Sequence, residues 1–130
     1  MATARTTMPA MNSTPNLSRL EQAFAGEWAL ARAARLAGAH DRAFHHLERA
    51  HILGQRRTWL HVKSHLGMLQ LGWQRRDLRE LLGQLARIVA AAAFSRVWVP
   101  AGNTGGANVS PFKPMPVPPD LQSLLDAEDA

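Results

Sequence analysis

Apolar residues recur at helical spacing almost without interruption from about residue 17 to residue 95, and this pattern constrains the fold more than any other feature. The pattern is broken at Gly38, at Gly54 and at the polar segment GWQRRD of residues 72–77. Glycines and clustered polar residues favour turns over helices. The pattern therefore predicts four helices joined by short turns, at about residues 17–37, 40–54, 58–73 and 77–95.

Two of these helices carry a recognisable start signal. Ser18 and Glu21 have the spacing of a capping box, in which each side chain pairs with a free backbone N–H group of the first turn. Asp77 and Glu80 have the same spacing, with aspartate as the capping residue. These pairs support helix starts near residues 18 and 77.

Composition narrows the class of protein. A chain of 130 residues with an apolar fraction of 46% is typical of one globular domain with a single core. Cysteine is absent, which excludes disulfides, thiolate zinc sites and cysteine nucleophiles, so a metal would have to use His, Asp or Glu. The N-terminus lacks the apolar core of a secretory signal, and the longest uncharged apolar run, residues 88–94, is too short to span a bilayer. We therefore expect a cytoplasmic protein without a membrane partner.

The formal net charge of +5 comes almost entirely from arginine. A basic balance of this kind can attract nucleic acid. The arginines are scattered along the predicted helices without a block of five or six like charges, and tyrosine is absent. Scattered arginines are typical of solvated helix faces, so we do not expect a nucleic-acid partner.

The composition changes at both ends of the helical region. Residues 1–15 are rich in Met, Ala and Thr without periodicity, which predicts a disordered leader before a helical domain at residues 16–97. In the tail at residues 98–130, the part at 100–119 holds six of the eight prolines and three glycines, so it forms neither a helix nor a central strand. Apolar residues spaced along this part predict an extended segment packed on the helices, followed by a short acidic helical end.

The sequence also contains a repeat with an offset of 34 residues. LAGAHDRAFHHLERA at 36–50 aligns with QLGWQRRDLRELLGQ at 70–84, and 34 residues is the period of tetratricopeptide (TPR) helix pairs. Gly38 aligns with Gly72, although Gln84 stands where the first unit has a small residue. The expected fold is all-α, with four antiparallel helices arranged as two TPR-like hairpins and the Gly/Pro-rich segment packed on them.

Several polar residues fall on the predicted apolar faces. Glu27 lies at the centre of the apolar stripe of the first helix, where a carboxylate must be protonated, paired with a cation such as arginine, or bound to a metal. In the second helix Glu48 and His51 form a Glu-x-x-His pair on the apolar side, whereas His45 and His46 point toward solvent. Helical bundles use this spacing to present a carboxylate and an imidazole to a metal ion, although it also arises by chance.

The third predicted helix adds His61 and His65, which share one face of the segment HVKSH. Two histidines so spaced can bind one metal, as in the zinc metallopeptidase motif, but Val62 replaces the catalytic glutamate of that motif. A single histidine on an apolar face more often packs in a core, so the convergence of three helices is what favours a metal site. The candidate ligands are Glu27, Glu48, His51, His61 and His65, and this sulfur-free set favours Zn, Fe, Mn or Cu(II).

Three segments resemble an uncharacterised bacterial family catalogued as domain of unknown function thirty-seven-oh-three: LERAHILGQ (47–55), GQLARI (83–88) and above all VPAGNTGGANVSPFKPMPVPPDL (99–121). The resemblance covers nearly all of residues 17–121. It implies a short helical protein of TPR-like character whose relatives are often encoded near heavy-metal resistance genes. It therefore favours a metal-related role and an ordered tail, but it supplies no reaction and no active site.

These features together predict a small cytoplasmic helical protein that binds a transition metal between its helices. The predicted role is metal homeostasis or resistance, or that of a small metalloenzyme, and whether the protein catalyses a reaction is left open. The alternative is a TPR-like module that binds a protein partner or forms a homodimer without a metal. On that alternative Glu27 pairs with an arginine, and the histidines are packing or groove residues.

Overall fold

The computed structural model describes residues 17–130, and this part of the chain contains five helices and no strand. The helices are α1 (Arg19–Leu36), α2 (His40–Gly54), α3 (Thr58–Arg75), α4 (Leu78–Phe94) and α5 (Pro119–Asp129). The first four begin and end within two residues of the predicted bounds. The predicted leader, residues 1–15, lies outside the described residues. No helix in the described part is long and apolar enough to cross a membrane.

The helix boundaries follow from local chemistry. Ser18 caps α1 through the complete capping box with Glu21, as predicted. The Asp77 carboxylate accepts a hydrogen bond from the backbone N–H of Glu80 at the start of α4. Between α1 and α2 the chain reverses at Gly38, whose φ of 75° lies in the left-handed region that suits glycine.

From α1 to α4 each helix packs against the next, and α5 packs on α1 and α2. Two clusters of buried apolar side chains hold this arrangement together. One joins α1, α2 and α3 through Ala31, Ala34, Ala43, Leu47, Met68 and Leu71. The other joins α1 and α2 to α5 through Phe24, Ala50, Ile52, Leu53 and Leu121.

Arginines of α2 and of the following turn bind the acidic residues of α5. The guanidinium of Arg49 pairs with Asp120, and that of Arg56 with Asp129 at 2.8 Å. Arg57 pairs with both Glu128 and Glu21. These ion pairs join α5 to α2 and to the turn that follows α2.

The fourth helix packs on the rest of the protein through its polar side. Its buried residues are Glu80, Gln84 and Ala91. Five of its large apolar side chains are exposed to solvent by 52–72%: Leu78, Leu82, Leu85, Val89 and Phe94. The segment that follows α4 explains this orientation. It presents backbone N–H and C=O groups to α4, and these groups need polar hydrogen-bond partners.

That segment, residues 95–118, has no helix or strand and is tied to the helices by side chains. The buried amide of Gln55 donates to the Pro100 carbonyl and accepts from the Gly102 N–H, each at 3.0 Å. The Asn103 side chain donates to two carbonyls further along the segment, those of Ser110 and Lys113, at 2.8 Å. These bonds replace the regular ladder that the prolines and glycines prevent.

Gly102 is required by both its backbone and its surroundings. Its φ is 76°, and a Cβ atom there would lie 2.0 Å from the Met115 carbonyl oxygen. We expect Gly102→Ala to lower the free energy of unfolding by about 2 kcal/mol or more, because strain and a clash with backbone act together. Gly26→Ala is the control, since nothing lies within 4 Å of its Cβ position in the interior of α1.

The control should gain about 0.5–1 kcal/mol, because glycine inside a helix is less favourable than alanine. Urea denaturation followed by circular dichroism measures both variants. Equal stabilities of the two alanine variants would contradict the described path of residues 100–106.

Candidate metal centre

Three buried histidines bring their imidazole rings together between α2 and α3. The Nε2 atoms of His51 and His61 are 3.0 Å apart, and each lies 3.2 Å from Nε2 of His65. The side chains are buried, with exposures of 2–8%. Within the described residues this is the one group of three or more potential ligands whose donor atoms are close enough to share a metal ion.

The positions of these histidines follow from helix geometry. His61 and His65 are one turn apart on α3, so their side chains lie on the same face. His51 is in the last turn of α2, and the short turn at residues 55–57 returns the chain so that α2 packs on α3. The third imidazole is thereby placed opposite the other two.

The other ring nitrogen of each histidine faces a hydrogen-bond acceptor. Nδ1 of His51 lies 2.8 Å from the Asn103 carbonyl oxygen, and Nδ1 of His65 lies 2.6 Å from Oε1 of Gln84. Nδ1 of His61 lies 2.8 Å from Oγ of Ser95, whose own hydrogen is directed to the Ala91 carbonyl. The partners therefore assign the proton to Nδ1 in all three rings.

With the protons on Nδ1, the three Nε2 atoms carry only lone pairs. These lone pairs converge at 3.0–3.2 Å with no hydrogen between them. Such an arrangement is repulsive on its own and is satisfied by a cation at its centre. In metal sites, ligating histidines similarly donate their second N–H group to a carbonyl or another acceptor.

Burial keeps these rings in the form that binds metals. The pKa of His51 is lowered well below its usual value by burial and then by the neighbouring His65 and His61. Burial lowers the pKa of His61 to about 4. The pKa of His65 falls to about 3 through burial and then through His61. All three imidazoles are therefore neutral at pH 7, and no proton competes for Nε2.

The size of the Nε2 triangle fits a first-row metal ion. Bonds of about 2.0–2.1 Å place two ligand nitrogens about 3.3–3.4 Å apart at a tetrahedral metal and about 2.8–3.0 Å apart on one face of an octahedral metal. The sides of 3.0 and 3.2 Å lie between these values. Three ligands on one face leave the opposite side of the ion open.

Glu27 does not lie with the three histidines. One of its carboxylate oxygens accepts from Nε of Arg49 at 2.7 Å, and the other lies 2.7 Å from Nδ1 of His46. The pairing with arginine is the alternative that the sequence left open for this residue. His46, predicted to point to solvent, lies instead against Glu27, with 19% of its side chain exposed. Packing of α1 on α2 brings these groups together, since Glu27 faces α2 rather than α3.

Glu48 is half-buried on α2 and is also outside the three-histidine group. Its pKa is raised by burial and by the nearby carboxylate of Glu80. Glu80 itself accepts hydrogen bonds from the Gln84 side chain and the Ala107 backbone. Of the five candidate ligands, the structure thus brings together His51, His61 and His65 and leaves Glu27 and Glu48 elsewhere.

A cavity of about 440 Å³ opens onto the three histidines. Apolar residues of α4 and of the following segment form most of its wall, among them Ala86, Ala90, Phe94, Trp98 and Phe112. Its size is that of a small-molecule site. The three histidines therefore border a largely apolar space.

The residues that hold the imidazoles are not singled out by sequence motifs. Ser95 lies at the end of a helix, and Asn103 contributes a backbone carbonyl that no side-chain pattern reveals. For Gln84 the sequence contains one indication of a special role: this residue stands where the first repeat unit has a small residue. A glutamine at a buried helix position indicates a specific hydrogen-bond partner, here His65.

The apo protein should lose stability as the pH falls from 7 to 5. In this window the unfolded chain protonates its histidines near their ordinary pKa of 6.5, while the folded chain keeps His61 and His65 neutral down to about 4 and 3. Each histidine that is protonated in the unfolded chain but neutral in the folded chain lowers the free energy of unfolding by roughly 1.4 kcal/mol for each pH unit below its ordinary pKa. Urea titrations of metal-free protein at several pH values measure this slope.

His61→Gln should reduce that slope, whereas the same substitution at His45, which is exposed, should leave it unchanged. A stability that stays flat between pH 7 and 5 in the metal-free protein would show that the imidazoles are not buried as neutral groups.

Comparisons with known proteins identify a family but no function. No curated protein matches the chain, and no solved structure matches it. A family model described as "Protein of unknown function (DUF3703)" matches residues 18–125, which include α1 to α4 and all three histidines. The chain therefore belongs to the DUF3703 family, as the resemblance of its C-terminal segment predicts.

Proposed function

We propose that this protein binds one transition-metal ion through the Nε2 atoms of His51, His61 and His65. The observation that carries the proposal is the convergence of three unprotonated nitrogens at 3.0–3.2 Å inside the protein. Each ring is held in this orientation by an acceptor at its Nδ1 atom. In a cluster that served only for packing, bringing the three Nε2 lone pairs together would not contribute to stability.

The donor set narrows the metals predicted from the sequence. Three neutral imidazoles suit Zn, Fe and Cu(II), whereas Mn prefers the carboxylate ligands that Glu27 and Glu48 would have supplied. Three protein ligands and an open position are typical of catalytic zinc sites, while structural zinc is usually bound by four protein ligands. This donor set supports an exchangeable ligand on the metal, in a metalloenzyme or in a metal-handling protein.

The alternative prediction, a TPR-like interaction module, is supported by a different surface. Leu78, Leu82, Leu85 and Val89 form an exposed apolar stripe on α4, and stripes of this kind occur at protein interfaces. A two-hairpin arrangement, α1 with α2 and α3 with α4, is consistent with the main packing contacts. The apolar stripe does not indicate a particular partner, whereas the Nε2 triangle indicates a metal ion. We therefore prefer metal binding to the interaction module as the proposed function.

Metal binding is tested on protein purified without a His-tag, stripped with a chelator and reconstituted with Zn²⁺ or Co²⁺. We expect about one metal per chain and a melting temperature raised by several degrees, because the ion binds only the folded state. The double variant His61→Ala/His65→Ala should bind no metal and show no such shift. His45→Ala is the matched control, since this histidine is exposed on α2.

Elemental analysis and differential scanning calorimetry measure the two effects. Less than about a tenth of a metal per chain after reconstitution, with an unchanged melting temperature, would contradict the proposal.

The acceptors at Nδ1 should contribute to affinity. Ser95→Ala removes the partner of His61 with little change in volume, and we expect metal affinity to fall about 10–100-fold. Ser123→Ala is the control, because the Ser123 hydroxyl bonds only its own helix, at the Pro119 carbonyl. Competition with a chromophoric chelator measures the affinity, and equal values for the two variants would remove the proposed role of Ser95.

A further inference from the structure

The cavity beside the histidines has very few polar groups left without a partner. The side chain of Gln55 is bonded at both its oxygen and its nitrogen, and the side chain of Asn103 likewise. The Ser95 hydroxyl donates to Ala91 and faces Nδ1 of His61. What remains toward the cavity are the three Nε2 atoms and one other residue, Arg87.

Arg87 is the one charged side chain among the described residues that line this cavity, and no carboxylate lines it. Its two terminal nitrogens donate to the backbone carbonyls of Gly83 and Val109, at 3.3 and 2.7 Å. Its Nε atom is buried and has no hydrogen-bond partner within the described part of the chain. What Arg87 offers a ligand is its positive charge, which no carboxylate among the lining residues of the cavity balances.

Arg87 lines the same cavity as the three histidines. Burial lowers the pKa of Arg87 itself, while the carboxylate of Glu80 acts in the opposite direction. Glu80 does not line the cavity, because its carboxylate is directed to Gln84 and the Ala107 N–H. A divalent ion on the histidines would therefore add to a positive charge already present beside the cavity.

The rest of the cavity wall is apolar and open at one end. Ala86, Ala90 and Phe94 line it from α4, and Trp98 and Phe112 line it from the segment after α4. Phe94, Trp98 and Phe112 are each exposed by more than half of their surface. These rings surround a space suited to a short hydrocarbon chain.

We propose that the cavity binds a small monocarboxylate with an apolar tail, with its carboxylate at the open position of the metal and beside Arg87. This inference rests on the proposed metal site. A carboxylate suits both features, because one oxygen donates a lone pair to the metal while the negative charge is complementary to the guanidinium. The apolar wall then selects for the length of the tail.

The proposal is tested with Co²⁺-loaded protein, whose visible absorption changes when a ligand of the metal is exchanged. Acetate, butyrate and hexanoate are titrated, with hexan-1-ol as an uncharged probe of the same tail length. Each added CH₂ should tighten binding about three- to fourfold, so that hexanoate binds on the order of a hundredfold more tightly than acetate. Hexan-1-ol should bind at least about tenfold more weakly than hexanoate.

Two substitutions test separately how the carboxylate and the apolar tail of the ligand contribute to binding. Arg87→Met should weaken hexanoate about tenfold or more and leave hexan-1-ol unchanged, whereas Arg79→Met, at an exposed position of the same helix, should change neither. Ala90→Phe fills the cavity from a position with an exposed side chain. It should abolish the preference for hexanoate over acetate without altering the cobalt spectrum.

The outcomes distinguish this inference from the metal proposal. If the protein binds no cobalt, both fail. If it binds one cobalt per chain but acetate and hexanoate bind equally well, the metal site stands and the carboxylate site is overturned. The same conclusion follows if Ala90→Phe leaves the affinity for hexanoate unchanged. The expected dependence on tail length, lost on filling the cavity, supports the proposal.

Discussion

The contact between three neutral imidazoles inside the protein is the interaction on which the rest of the structure depends. Lone pairs 3.0–3.2 Å apart repel each other, so the arrangement is maintained by what surrounds it. Asn103, Ser95 and Gln84 hold the opposite edges of the rings. Hydrogen bonds to these three residues thus orient the imidazoles, as they orient ligating histidines in known metal sites.

This requirement accounts for two unusual features. The glycine-rich segment passes so close to His51 that a Cβ atom at Gly105 would lie 2.6–2.8 Å from atoms of the imidazole ring. The same segment presents its backbone to α4, and Gln84 donates to the Gly105 carbonyl while Glu80 accepts from Ala107. The inner face of α4 carries Glu80 and Gln84 for this reason, and three of its leucines, Leu78, Leu82 and Leu85, are exposed.

Much of the fold could be predicted because it is encoded locally. Capping residues and apolar periodicity depend on neighbours within a few positions, and they located the four main helices to within two residues. The structure brings together only part of the predicted ligand set. His61 and His65 share a face through one helical turn, which is a local property, and the convergence of helices added His51. Glu27 and Glu48 were also placed on inward faces, but a helical projection does not say which neighbour each inward face meets.

The sequence by itself determined the helices, the caps of α1 and α4, the absence of thiolate ligands and the family, because each of these depends on residue types and short spacings. Only the tertiary structure decided that Glu27 meets Arg49 and that α4 turns its polar face inward. It also decided that Ser95, Gln84 and a backbone carbonyl support the imidazoles. These contacts join residues 19–52 positions apart along the chain. Their partners are selected by the packing of whole helices, which no local pattern specifies.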